Sequence, residues 1–437
     1  MSHEAGAQLP RTGLPLKGVV AVVIGNWLEF YDFLVFTFFA VMIGDAFFPA
    51  QSEIGRLLGA LATFGVGFVT RPLGAAVIGP YADRKGRRAA LTLTLLLMAL
   101  GSAMIAFTPG YATIGVAAPV ILLTARLLQG FSCGGEVGPA TTYLLESAPM
   151  HKRASLTAWQ AHSQALATIM GSGIGLILAS TLTRDQLYGW GWRVPFVVGV
   201  LVAPVALYIR RQLPETIEPR HMQRSSTDVL RELTQENLRP VLLGVLIICG
   251  GTISTYVANY MTTYALTTLH LSATVATMLT LTGGVGQIIG YSLGVWADQF
   301  GRKRALIAWR VALIVVVYPA FLILTAPEAT TLTIVLANVF ISVMFAAGVG
   351  ASYAFMAEAF PQSVRSSGLA ILYALGVMIF GGTTQFVVAW LIDVTKDPLV
   401  PAYYMMVANL ATIVGLARMV PHAEVRGARL VSLAARA

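Results

Sequence analysis

Long apolar blocks alternate with short polar gaps along the whole chain. Twelve blocks can be delimited, at about 18–44, 56–82, 89–108, 114–146, 155–180, 192–209, 240–268, 272–297, 305–325, 330–357, 366–393 and 400–421. Most are long enough for an α-helix to cross a hydrocarbon core about 30 Å thick. Lipid offers no partners to free backbone groups, so each block is predicted to be a helix. Nothing alternates with period two over ten-residue stretches, which argues against a β-barrel. The expected fold class is an all-α membrane protein with twelve transmembrane helices in two six-helix pseudo-symmetric halves.

Composition agrees with the pattern. Of the 437 residues, 56% are hydrophobic and only 11% charged, whereas a soluble domain carries about 25% charged residues. The net charge of +9 could suggest a nucleic-acid partner, but the basic residues sit in the gaps between blocks, as membrane topology requires. Arg56, Arg184, Arg193 and Lys396 fall on one side, Arg71, Arg126 and Arg310 inside spans, and the rest of the 29 Lys and Arg on the other side. The positive-inside rule then places both termini and the central loop in the cytoplasm. The first 17 residues are polar, with Pro10 and Pro15, and lack a signal peptide's apolar core and cleavage site. Cys133 and Cys249 lie inside apolar blocks without metal-ligand spacing and read as small buried residues.

The expected organisation is an N-terminal tail (1–17), a first half (18–209), a central linker (210–239), a second half (240–421) and a C-terminal tail (422–437), with tails and linker cytoplasmic. Within the linker, Ser226 to Arg239 fits either a short amphipathic helix or a solvated segment. The halves repeat. Gly79, Asp83, Arg84, Gly86, Arg87 and Arg88 between spans two and three match Gly294, Asp298, Gly301, Arg302, Lys303 and Arg304 between spans eight and nine. Glu146 followed by Arg153 matches Glu358 followed by Arg365 at nearly the same offset. The glycines suit close helix approach and a tight turn, and the charges suit a latch at the inner rim. Asp83, Arg84, Arg87, Glu146, Arg153, Asp298, Arg302, Glu358 and Arg365 are therefore the candidate gating residues.

These repeated loops resemble the signature loop of the major facilitator superfamily. Further motifs resemble its metabolite–proton symporters: Gly25-Asn26-Trp27-Leu28-Glu29-Phe30-Tyr31-Asp32-Phe33, Arg71-Pro72-Leu73-Gly74, Arg126-Leu127-Leu128-Gln129-Gly130-Phe131-Ser132 and Trp190-Gly191-Trp192-Arg193-Val194-Pro195-Phe196. Thr157-Ala158-Trp159-Gln160 and Phe380-Gly381-Gly382-Thr383 resemble the citrate and tricarballylate branch. The resemblance implies a proton-coupled importer working by rocking of two halves about a central site, with a di- or tricarboxylate as solute. The alternatives are a zwitterionic osmolyte or amino acid such as betaine or proline, or an acid such as shikimate or 2-oxoglutarate.

Charge inside the spans marks the site independently. An arginine or aspartate at a span centre costs about 2.5–3.5 kcal/mol even on the lenient insertion scale, so it normally faces a cavity or a partner. Glu29 and Asp32 share a face of span one, and Arg71, Arg126 and Glu136 lie in spans two and four. A carboxylate there can gain and lose protons, so Asp32, Glu29 and Glu136 are the proton-coupling candidates. Arg126, Arg71, Gln129, Gln160 and Gln164 are the candidate solute ligands of the first half, and Tyr256, Asn259 and Tyr260 those of the second. Arg310 is expected near the inner end of span nine, snorkelling to the interface, and His162 as a satisfied packing residue. No nucleophile elbow, Walker loop or zinc spacing appears, so no enzymatic role is expected. The expected partners are the lipid bilayer and a small organic acid, and the expected state is a monomer needing no cofactor besides the coupling proton.

Overall fold

The computed structural model describes residues 16–85, 87–134, 137–146, 148–149, 152–211, 238–361 and 365–420. Gly86, Glu136, most of the linker and both tails fall outside the described residues, as does the greater part of the amphipathic stretch, from Ser226 to Asn237. The side chains of Asp83, Arg84, Arg87 and Glu146 also lie outside them, although their helical backbone is described.

The chain is helical at every expected block. Among the described residues, eight helices are long and apolar enough to cross a membrane, from Glu53–Ile78 to Val400–Arg418. A ninth span is a broken one, Val22–Phe38 and Ala40–Phe47, bent by 67° at Phe39. Shorter apolar helices, Thr92–Phe107, Ala117–Cys133 and Gly191–Leu201, occupy the remaining three positions, which completes the twelve-helix, two-half fold.

Several spans are interrupted at mid-depth, and each break has a local cause. Span two divides into Glu53–Val66 and Arg71–Lys85. The bonds from Gly67, Phe68 and Val69 to the carbonyls three residues back tighten that turn, and Pro72 then stands at the second helical position, where its missing N–H costs nothing. Span ten divides into Thr331–Ala347 and Ser352–Glu358 around Gly348 and Gly350. Span eleven runs Arg365–Gly376 and Gly382–Thr395, joined by a wider π-type turn over Val377–Gly381. Irregular backbone at this depth is tolerated only where it is buried in protein or lines a cavity. In the second signature loop Gly301 has φ 100, a left-handed turn that disfavours a side chain.

The halves touch at both ends. Span five lies along span eight, and the Glu53–Val66 segment lies against Gly382–Thr395. Thr263 bonds the carbonyl of Thr37 at 3.4 Å, and Thr274 that of Ala179 at 3.2 Å. At the signature-loop end, Arg365–Gly376 packs on Val137–Glu146. A cavity lies between these contacts, lined from both halves.

A Cβ at Gly65 would overlap the carbonyl oxygen of Gly382 across the interface. Gly65→Val is therefore expected to pry the halves apart at that end while leaving each half folded. A Thr263→Cys reporter should then react faster with a hydrophilic maleimide in the Gly65→Val background; equal rates would contradict the close-approach role of Gly65.

Candidate functional site

Aromatic residues of spans one and two build the wall that holds the two central cations. Phe33 lies 4.8 Å from both Phe64 and Phe68, and Phe68 lies 5.4 Å from Tyr256 of the other half. Arg126 is fully buried. Its guanidinium carbon sits 4.3 Å from the Phe33 ring centre, 4.5 Å from Phe36 and 5.0 Å from Phe64. Arg71 sits 4.4 Å from Phe68 and 4.7 Å from Phe33. A ring face is worth about 2 kcal/mol to a desolvated cation, which offsets part of the burial cost. Nε and Nη2 of both arginines have no hydrogen-bond partner, so both retain donors for an anion.

A hydrogen-bonded chain leads from Arg126 to Asp32. Nη1 of Arg126 donates to Gln129 Oε1 at 2.6 Å, and Gln129 Nε2 donates to Ser102 Oγ at 3.0 Å. Ser102 hydrogen-bonds the Asp32 carboxylate, which is also within electrostatic reach of Arg126. Asp32 is buried, and its Oδ1 has no hydrogen-bond partner. That oxygen lies against Gly199 of span six, where an added Cβ would overlap it. Glu29 is turned elsewhere, into the field of Arg71. The one-face spacing of Glu29 and Asp32 thus serves two different arginines.

The remaining sequence candidates separate by partner. Gln129 is spoken for on both sides, by Arg126 and Ser102, and is a link rather than an open ligand. Gln160 donates to Asn26 Oδ1 at 2.6 Å while Asn26 donates back to the Gln160 carbonyl at 3.0 Å, pinning span one to span five. Asn259 accepts from Thr168 at 3.5 Å across the interface. Tyr260 packs on Tyr264 at 6.5 Å, away from the cavity. His162 bridges the halves, 2.8 Å from the Ala158 carbonyl and 3.2 Å from Ser292 Oγ.

A small central cavity lies between Gln164 of span five and Tyr256, Arg310, Tyr353 and Tyr373 of the second half. Gln164 and Tyr353 face the cavity from opposite halves. Arg71 and Arg126 stand one aromatic layer behind this cavity. Arg310 corrects the sequence expectation: it does not snorkel but is 2% exposed and lines the cavity. Neither Arg310 nor Ser102 carried a motif, so neither could be singled out from the sequence.

At the signature-loop end, Arg302 donates to Asp298 at 2.7 Å and to Glu358 at 2.5 Å, and Arg153 of the first half reaches Glu358 at 3.7 Å. Among the described residues, the Arg153–Glu358 pair thus joins the halves here. Arg365 opens the first segment of span eleven.

The repeated loops, the paired halves and the cavity between them define a secondary transporter, not an enzyme. The chain matches the model of the Major Facilitator Superfamily over residues 22–383 and belongs to that family. It is 37% identical over 407 residues to a citrate-proton symporter of Salmonella typhi, covering 92% of this chain and 93% of that one. It is 29% identical to a proline/betaine transporter of Salmonella typhimurium, covering 92% of this chain and 82% of the relative. In fold it resembles the crystal structure of a D-xylose-proton symporter, with TM-score 0.74 and 19% identity over 93% of this chain and 98% of the other.

Arg153 and Glu358 are each about a quarter exposed in their side chains, so their pair is worth no more than about 1 kcal/mol. Arg153→Gln should open the signature-loop end only slightly. Glu358→Gln, which removes the shared partner of Arg153 and Arg302, should open it more. Labelling of single cysteines introduced around that rim ranks the two; equal labelling would remove Glu358 from the latch.

Proposed function

We propose that the protein imports a small organic acid, a di- or tricarboxylate of the citrate type, together with protons, across a bacterial inner membrane with both termini cytoplasmic. One observation carries the reading: two buried arginines, Arg71 and Arg126, keep unpartnered N–H groups, and Arg126 is linked through Gln129 and Ser102 to the buried carboxylate of Asp32. The likeness to citrate-proton symporters supports the same solute class. Arg126 and Arg71 take a carboxylate, whose planar pair of oxygens suits the guanidinium fork. Asp32 takes the proton, because a carboxylate stripped of water is stabilised by protonation. With the proton on Asp32, less negative charge faces Arg126, and its field is free for the solute. Asp32 and Arg126 thereby favour loading proton and anion together. The gradient supplies about 2.3 kcal/mol per charge for each 100 mV. The latch at Glu358, with Arg153 and Arg302, holds the cytoplasmic end closed, and Asp83, Arg84, Arg87, Glu146, Asp298 and Arg365 belong to the same rim.

Asp32→Asn is expected to abolish accumulation driven by a pH gradient in proteoliposomes while sparing solute exchange. Wild-type uptake of citrate, tricarballylate and 2-oxoglutarate that ignores both the gradient and an uncoupler would end the symport reading. Titration with proline and betaine tests the zwitterion alternative in the same preparation.

Ser102→Ala should change solute affinity less than Arg126→Lys does, since Ser102 meets Gln129 and Asp32 rather than the solute, but should move the pH at which uptake is half-maximal. Arg126→Lys should weaken binding at least tenfold without lowering the melting temperature of the solute-free protein. Wild-type affinity in Arg126→Lys would remove it as the carboxylate ligand.

A further inference from the structure

The mid-membrane cation of the second half has no acid of that half to answer it. The acidic residues there are Asp298, Glu328, Glu358, Asp393, Asp397 and Glu424, and all lie at span ends, in loops or in the tail. Arg310 is nonetheless buried to 2% exposure at the wall of the central cavity. Its Nη1 donates to Asn409 Oδ1 and its Nη2 to the Gly348 carbonyl, both at 2.8 Å. The Gly348 carbonyl belongs to the break in span ten. These neutral acceptors orient the guanidinium but leave its charge uncompensated. Nε has no hydrogen-bond partner.

The opposite wall shows the same lack. Gln164 Nε2 is buried without a hydrogen-bond partner although the residue lines the cavity. Unsatisfied N–H donors thus stand on both walls, and a buried donor left unmade is costly, the more so where it is charged. A ligand rich in acceptors and carrying negative charge removes both penalties. A zwitterion's ammonium would instead face Arg310 with like charge.

We infer that Arg310 is the carboxylate-binding cation of the second half, with Gln164 as its counterpart donor, so that the transported solute carries at least two carboxylates, one held by Arg310 and another reaching the pole of Arg71 and Arg126 once the aromatic layer between that pole and the cavity parts. The inference rests on the organic-acid reading above and adds to it the second pole. Each half then grips its own carboxylate, and a bound di- or tricarboxylate draws the halves together around the cavity. An acid with one carboxylate engages one pole only and leaves the other cation uncompensated.

The test is equilibrium binding of tricarballylate and glutarate to purified wild type, Arg310→Gln, Arg310→Lys and Asn409→Ala, with the melting temperature of each solute-free protein recorded in parallel. The expected result is at least a tenfold loss of affinity for both acids in Arg310→Gln and a smaller loss in Arg310→Lys, which keeps the charge without the fork. Wild-type affinity in Arg310→Gln overturns the inference. So does an equal loss of affinity in Asn409→Ala and Arg310→Gln with matching falls in melting temperature, the mark of a helix-tying arginine. If Arg310→Gln does not fold, Arg310→Lys decides, with wild-type affinity overturning the inference and a clear loss at an unchanged melting temperature supporting it. Failure of wild type itself to bind either acid sinks the organic-acid reading and the inference with it, whereas wild-type binding with an unaffected Arg310→Gln sinks the inference alone.

Discussion

Three guanidinium groups, Arg71, Arg126 and Arg310, are held away from water in the middle of a helical membrane protein, and the architecture around them follows from that cost. A cation at this depth needs a partner, a polar cavity or a face of electron density. Each arginine receives a partial answer. Phe33, Phe36, Phe64 and Phe68 offer ring faces to Arg71 and Arg126, and Gln129, Asn409 and Gly348 offer neutral oxygens. Partial compensation is what a binding site requires. Fully satisfied charges would be inert struts, whereas these keep unused donors.

The breaks in the spans serve the same end. An uninterrupted helix uses its carbonyls internally and has none to spare for a buried guanidinium. The glycines at 348 and 350 interrupt span ten and free the carbonyl that Arg310 takes. The tight turn before Arg71 brings that side chain in among the aromatic rings. The π-type turn of span eleven sets Gly381 against Tyr256 and Phe68, where added bulk would collide. Backbone irregularity in this molecule is concentrated where the polar chemistry lies.

The two halves share one fold but divide the work unequally. The first carries the buried carboxylates and the chain Arg126–Gln129–Ser102–Asp32, so a change of charge at one end is felt at the other. The second contributes a lone cation, three tyrosines at the cavity and Glu358 at the rim. Duplication set up equivalent scaffolds, while side-chain chemistry made one half suited to coupling and the other to grip. Closure at both ends by short polar contacts and glycine-mediated backbone approach suits two bodies that must separate and rejoin.

Twelve spans, their helical character and the duplication were legible in the sequence, because lipid forces long apolar runs to close their own hydrogen bonds. The motif residues Asp32, Arg71 and Arg126 were legible for the same reason: a charge inside such a run is costly wherever it points. Direction was not legible. Glu29 and Asp32 share a face yet serve different arginines, Gln160 is consumed by Asn26, and Gln129 is a link rather than a ligand. Ser102, one hydroxyl in an apolar span, and Arg310, one charge close to a basic loop, carry no local sign of their roles. Those roles depend on which helices become neighbours and which groups they bring within hydrogen-bond distance. Periodicity fixes the environment a residue tolerates, but only tertiary packing decides what it meets there.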